Sequence, residues 1–158
     1  MAAKDPTKVA RENVDAYNAG DWKRLKAVLG SGSVYHEIGT QRRIRGADRI
    51  LQAYQAWKQA LPDSKGTVTN SFARGNSVVL EITWKGTHTG TLEGPAGSIP
   101  PSYKRFSVPA AQVVSVAGGK IKQVRHYFDF LTLLQQIGAA PQPSSGGETP
   151  AAPARRQI

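Results

Sequence analysis

The chain has 158 residues, a formal net charge of +10 and no cysteine. This length fits one domain with a short extension. The absence of cysteine excludes disulfides, thiolate zinc sites and cysteine nucleophiles.

The excess of positive charge does not point to nucleic acid. Lysine and arginine are scattered along the chain, and the tightest group, Arg42, Arg43 and Arg45, is interrupted by an isoleucine. Nucleic-acid modules concentrate basic residues on one face or helix, so we expect a solvated basic surface and no nucleic-acid partner. The N-terminus lacks the apolar stretch of a secretory signal, and no segment approaches the ~20 apolar residues of a membrane-spanning helix. These features predict a cytoplasmic protein without membrane contact.

Two helices are predicted at the N-terminus. Asp5-Pro6 is a favourable helix start, and Gly20 a plausible end. Asp21 can cap a second, short helix, which the glycines of residues 30–32 interrupt. A short strand is predicted over residues 33–37.

A third helix follows a basic turn. It is expected to open at Gly46 and to end at Pro62-Asp63, with an apolar stripe at helical spacing that includes Tyr54 and Trp57. From Lys65 onward the apolar residues alternate, which is typical of strands. The predicted strands cover about 65–74, 77–88, 103–117 and 120–129.

The rest of the chain is predicted to be loop, helix and tail. Residues 89–102 are rich in glycine and proline and form a loop, which is long enough to serve as a lid. A last helix spans residues 130–137. Residues 139–158, rich in proline, glycine, serine and alanine, are predicted to form a disordered tail behind a single domain at 1–138.

This order of elements predicts an α+β fold. Three helices precede a run of long antiparallel strands, so the N-terminal helices should pack on one face of a curved, mostly antiparallel sheet. Such a sheet forms a cone, and concave surfaces of this kind favour ligand pockets.

Four segments in this order resemble the SnoaL-like polyketide cyclases of the nuclear transport factor 2-like superfamily. The resemblance covers roughly residues 6–138, and its segments are AYNAGDW at 16–22, RGADRI at 45–50, WKGTHTG at 84–90, and GKI at 119–121 leading into RHYFD at 125–129.

The resemblance implies a cone-shaped α+β barrel and cofactor-free chemistry. Similar proteins close a ring of an aromatic polyketide ester by an intramolecular aldol reaction, with neither metal nor organic cofactor. The superfamily also contains isomerases, hydrolases and proteins without catalysis, so the fold alone does not fix the function.

An aldol reaction needs a group that takes a proton from carbon and returns one to oxygen. Asp129, at the end of the last strand, is one candidate, and the alternative is that it caps the final helix. In similar proteins the position three residues earlier is often acidic; here it is His126, which is itself a competent base near neutral pH. His88 could donate a hydrogen bond to a substrate oxygen, or could be fixed by neighbouring threonines.

Five further residues are predicted to bind the substrate. His36 shares its side of a strand with Val34 and Ile38, which favours an inward orientation. The other four are aromatic side chains able to line a pocket: Tyr17, Tyr54, Trp84 and Tyr127. Trp57 is interpreted as a core residue. The three histidines are too dispersed for a metal site, so none is expected.

Three hypotheses remain open at this stage. The favoured one is a cofactor-independent enzyme that acts on an apolar or aromatic small molecule. The second is a non-catalytic module that binds such a molecule. The third is a dimerisation domain, since we expect the exposed face of the sheet to pair in a homodimer.

Overall fold

The computed structural model describes residues 4–95 and 97–140. The helices are α1 (Pro6–Ala19), α2 (Trp22–Val28), α3 (Ala47–Ala60) and α4 (Phe130–Gln136). The strands are β1 (Leu29–Glu37), β2 (Arg42–Arg45), β3 (Lys65–Arg74), β4 (Ser77–Thr87), β5 (Leu92–Gly94), β6 (Gly97–Ile99), β7 (Arg105–Ala117) and β8 (Lys120–Phe128). The α+β fold class is confirmed.

The caps predicted for the first two helices are present. The Asp5 carboxylate accepts a hydrogen bond from the Thr7 N–H at 2.9 Å. Gly20 ends α1 in the left-handed conformation, with φ of 64°, where a residue without a Cβ is least strained. Asp21 accepts from the Arg24 N–H at 3.1 Å and opens α2. Local capping therefore determines both ends of α1 and the start of α2.

The region after α2 differs from the prediction. β1 starts directly at Leu29 and runs through the glycines at 30–32, and the basic turn is the strand β2. β2 pairs antiparallel with β1, with Arg42 opposite Glu37. β1 also pairs in parallel with β8, far away in the sequence. The pairing of β1 with β8 is irregular between Leu29 and Val34, so Gly30 and Gly32 lie in an irregular stretch of the strand, as glycines within strands often do.

Six strands form one sheet in the order β2-β1-β8-β7-β4-β3. All neighbouring pairs are antiparallel except β1 and β8. The predicted loop at 89–102 contains a small separate hairpin of β5 and β6.

The main core lies between the helices and one face of this sheet. Fully buried residues come from α1, α2, α3 and the central strands, with Leu25, Ile50, Leu80 and Ile121 among them. A second cluster joins α4 to the end of α3, to β7 and to the 89–102 segment through Leu92, Phe106 and Leu133. Burial of these apolar side chains is the main stabilising contribution.

None of the helices within residues 4–95 and 97–140 combines the length and the apolar character needed to cross a membrane. The predicted disordered tail lies, from residue 141 onward, outside the described residues.

The 89–102 segment is attached tightly to the end of α3. The N–H groups of Thr89 and Gly90 both donate to the Ala60 carbonyl, at 3.2 and 3.0 Å. A Cβ on Gly90 would lie 2.0 Å from the Gln59 carbonyl oxygen, whereas a Cβ on Gly32 would meet nothing within 4 Å. We expect Gly90→Ala to lower the free energy of unfolding by roughly 1–3 kcal/mol, as overpacking does.

Gly32→Ala is the matched control, and urea denaturation midpoints of the two variants measure the difference. Equal midpoints would contradict the close packing of the 89–102 segment on α3.

Candidate functional site

A cavity of about 70 Å³ lies between α1, α3 and the inner face of the sheet. Its walls are mostly apolar and aromatic, with contributions from Val14, Leu61, Phe106 and Val108. A few polar side chains interrupt this lining: Asn13, Ser64, Gln112 and His126. An apolar pocket with a few placed polar groups is typical of a small-molecule site.

His126 on β8 is the central titratable group of the cavity. Only 8% of its surface is exposed. Its Nδ1 lies 2.8 Å from the Tyr35 hydroxyl, and its Nε2 lies 3.2 Å from the Trp84 indole nitrogen. Both ring nitrogens therefore have a partner in the protein.

The partners define the proton positions on His126. An indole N–H can only donate, so Nε2 accepts from Trp84. In the neutral ring the proton is then on Nδ1, which donates to the Tyr35 oxygen. Burial lowers the pKa of His126 from 6.5 to about 4, although the nearby Glu37 carboxylate opposes this decrease. The imidazole is therefore neutral at pH 7.

Glu37 on β1 is fully buried beside this pair. Its carboxylate accepts hydrogen bonds from the Tyr35 hydroxyl at 3.2 Å and from the Trp57 indole N–H at 2.8 Å. Arg42 forms an ion pair with it at 3.0 Å, and the Thr40 hydroxyl also donates to it. A buried carboxylate needs such compensation, because burial of an unpaired charge is costly.

The inner wall also carries two tyrosines with different surroundings. The Tyr17 hydroxyl bonds the Ser64 hydroxyl at 2.7 Å, and burial raises the pKa of Tyr17 to about 12. The Tyr54 hydroxyl and the Asn13 Oδ1 atom have no hydrogen-bond partner among the described residues.

Four of the predicted site residues meet in this cavity. Tyr17, Tyr54, Trp84 and His126 all line it. They come from α1, α3, β4 and β8 respectively, so the tertiary fold assembles them.

Asp129 lies outside the cavity, at the surface. It is the N-cap of α4, and its carboxylate accepts from the Thr132 N–H at 2.9 Å and from the Thr132 hydroxyl at 2.5 Å. These hydrogen bonds lower the pKa of Asp129. The geometry is that of the helix-cap alternative.

His88 is buried but does not line the cavity. Its Nδ1 accepts from the Ser102 N–H at 3.2 Å, and its backbone bonds Tyr103 and Lys104. The contacts of His88 therefore join the end of β4 to the segment before β7.

His36 and Tyr127 also lie outside the cavity. Tyr35 and Glu37 point to the inner side of β1, so alternation places His36 on the outer side, opposite to the predicted orientation. Tyr127 is 44% exposed and follows His126 on β8. Val34 lies on the same outer side of β1 as His36 and is nevertheless buried, so apolar neighbours do not mark the inner face of this strand.

Three important residues were not predicted as site residues: Tyr35, Glu37 and Trp57. Trp57 was assigned to the core, but it lines the cavity and its N–H is committed to Glu37. One signal was available in the sequence, because Glu37 stands in an otherwise uncharged strand, VYHEI, where a buried carboxylate needs a role.

A family model described as SnoaL-like polyketide cyclase matches residues 7–137. The chain belongs to this family. No curated protein matches the chain.

Several solved structures are similar to this SnoaL-like chain. A proposed SnoaL-like polyketide cyclase from Jannaschia sp. CCS1 has a TM-score of 0.77 at 18% identity, with 88% of this chain and 95% of that chain covered. IdmH, a proposed polyketide cyclase from Streptomyces antibioticus, has a TM-score of 0.73 at 24% identity, with 85% and 99% covered.

A third structure carries a small ligand. It is a hypothetical protein with a ketosteroid isomerase-like fold from Catenulispora acidiphila, in complex with trimethylamine, with a TM-score of 0.71 at 18% identity and 85% and 94% covered. At these identities the three structures support the predicted fold.

Replacing Asp129 tests its role as a helix cap in this family member. Asp129→Ala removes the acceptor for the Thr132 N–H, so we expect a lower melting temperature. Thermal unfolding of wild type and variant measures the difference. An unchanged melting temperature would contradict the role of Asp129 as a helix cap.

The buried His126 makes stability depend on pH. The unfolded chain binds a proton on this side chain near pH 6.5, whereas the folded protein does so only near pH 4. The contribution of His126 to the free energy of unfolding is therefore fully present above pH 6.5. It is lost as the pH decreases to about 4, by about 3 kcal/mol in total.

The measurement is urea unfolding at pH 7.5 and pH 4.5 for wild type and His126→Gln, which cannot titrate there. The stability lost between the two pH values should be smaller in the variant. Equal losses would show that other groups carry the pH dependence.

Proposed function

We propose that this protein is a cofactor-independent small-molecule enzyme in which His126 takes a proton from a carbon acid bound in the cavity. One observation carries the proposal: a neutral imidazole lies in an apolar cavity and is linked through Tyr35 to the buried Glu37 carboxylate. The family membership supports the reaction class, an aldol-type ring closure of a polyketide ester or a related isomerisation or hydrolysis.

The hydrogen-bond chain offers a path for the proton. Nε2 is the unprotonated nitrogen and receives the substrate proton, and Nδ1 then passes its own proton to Tyr35 as Tyr35 passes one to Glu37. The substrate becomes an enolate while the negative charge leaves Glu37, so no net charge is added to the site. This avoids an isolated imidazolium, which burial disfavours.

The enolate carbon then attacks a carbonyl carbon of the same molecule. The new carbon–carbon bond leaves an alkoxide, and this oxygen takes the proton back along the same chain. The protein is thereby restored, and neither metal nor cofactor is needed for this proposed sequence.

Ligand entry requires the cavity to widen. Its volume of about 70 Å³ is smaller than the ~150 Å³ that holds a benzene ring. The Trp84 indole N–H also donates a hydrogen bond to His126 Nε2, and its length of 3.2 Å is at the long end of the usual range. We expect displacement of Trp84 to free this nitrogen and to enlarge the cavity in one movement.

A non-catalytic binding module is the second candidate. The observation that favours it is the engagement of both nitrogens of His126 within the protein. In that case Trp84 stays in place and the imidazole is a structural part of the wall.

Proton exchange separates the two candidates without a requirement for ring closure. An aromatic polyketide methyl ester with a C–H next to a carbonyl is incubated with the protein in D₂O, and NMR follows the loss of the C–H signal. We expect acceleration by wild type and a decrease of roughly 10²–10⁴-fold in His126→Gln. Because the pKa of His126 is about 4, the wild-type rate should be constant from pH 8 to 5 and fall below that.

Asp129→Asn is the matched control, because it also removes one titratable group but lies outside the cavity. Its exchange rate should equal that of wild type. Equal rates in wild type and His126→Gln would exclude His126 as the base. Binding of the ester without any acceleration would favour the non-catalytic candidate.

A further inference from the structure

We propose that Tyr54 and Asn13 form a subsite for a ligand hydroxyl group, as found in an alcohol, a phenol or an enol. The proposal rests on the cavity being the ligand site, as proposed above, but it does not depend on catalysis by His126.

Both residues are buried in the cavity wall, from different helices. Tyr54 on α3 is 6% exposed and Asn13 on α1 is 2% exposed. The Tyr54 hydroxyl and the Asn13 Oδ1 atom have no hydrogen-bond partner within residues 4–95 and 97–140. Because most buried polar atoms are paired, two unpaired ones beside a cavity indicate a place where a ligand supplies the partner.

The two groups have complementary chemistry. Burial raises the pKa of Tyr54, so its hydroxyl stays protonated and is a donor. The nearby Asn13 amide opposes this rise, but its geometry falls short of a hydrogen bond with the Tyr54 hydroxyl. Asn13 Nδ2 donates to Gln112 Oε1 at 3.4 Å, which leaves Oδ1 as an acceptor.

A ligand hydroxyl satisfies both groups at once. Its oxygen accepts from Tyr54, and its proton is donated to Asn13. A ketone or ether oxygen satisfies only Tyr54, and a methyl group satisfies neither. The subsite therefore selects hydroxylated or enolised ligands over otherwise identical ones.

Tyr17 provides a matched control in the same cavity. Its ring packs edge-on against that of Tyr54, with centroids 6.1 Å apart. Its hydroxyl already bonds Ser64 at 2.7 Å. Removal of this hydroxyl makes the same chemical change at a position where the hydroxyl already has a hydrogen-bond partner.

Phenol and toluene are the probes, because they have nearly the same shape and differ in a hydroxyl against a methyl group. Both require the same widening of the cavity, so the ratio of their dissociation constants isolates the hydroxyl. NMR titrations give this ratio for wild type, Tyr54→Phe, Asn13→Leu and Tyr17→Phe.

We expect wild type to bind phenol about tenfold more tightly than toluene. The preference should disappear in Tyr54→Phe, decrease in Asn13→Leu and persist in Tyr17→Phe. Equal affinities in wild type, no binding of either probe, or an unchanged ratio in Tyr54→Phe would overturn the proposal. If phenol is preferred but His126→Gln exchanges protons as fast as wild type, the subsite stands and the catalytic proposal fails.

Stability of the ligand-free protein provides a second measurement. Tyr54→Phe removes an unpaired buried hydroxyl and should raise the melting temperature, whereas Tyr17→Phe leaves Ser64 without its partner and should lower it. A similar decrease in both variants would show that the Tyr54 hydroxyl already has a partner, and would overturn the proposal.

Discussion

The parallel pairing of β1 with β8 is the constraint on which the site depends. It places Glu37 directly opposite His126 in register, and Tyr35 lies on the same side of β1 and bonds both. A shift of one residue would turn these side chains to the outer face. The strand register therefore determines whether the histidine in the cavity is linked to a buried carboxylate at all.

Burial then determines the protonation of His126 and the hydrogen bonds that Glu37 requires. The helices and the inner face of the sheet exclude water, so His126 stays neutral and Glu37 has to be compensated by Arg42, Trp57 and Tyr35. Neither Glu37 nor its partly exposed partner Arg42 lines the cavity, whose walls are mostly apolar. The buried negative charge of Glu37 is therefore paired and hydrogen-bonded, and it is linked to His126 through Tyr35.

The same cavity has two kinds of polar group. His126 is fully engaged with Tyr35 and Trp84. The ring of Tyr54 packs edge-on against that of Tyr35, with centroids 5.0 Å apart, and the Tyr54 hydroxyl and the Asn13 Oδ1 atom have no hydrogen-bond partner among the described residues. In the two proposals made here, the first group transfers protons and the second orients a ligand.

The sequence alone determined the helices and the long strands, but not the short strands β2, β5 and β6. Capping residues and apolar periodicity are local signals. Asp5, Gly20 and Asp21 marked helix ends, and the change to alternation at Lys65 marked the sheet. Among the residues that it predicted for the site, Tyr17, Tyr54, Trp84 and His126 line the cavity. Only the tertiary structure decided that Glu37 faces inward, that His36 faces outward and that Asp129 caps a helix at the surface. Strand register and the inner side of a two-sided strand depend on partners that are distant in the chain, and no local pattern contains that information.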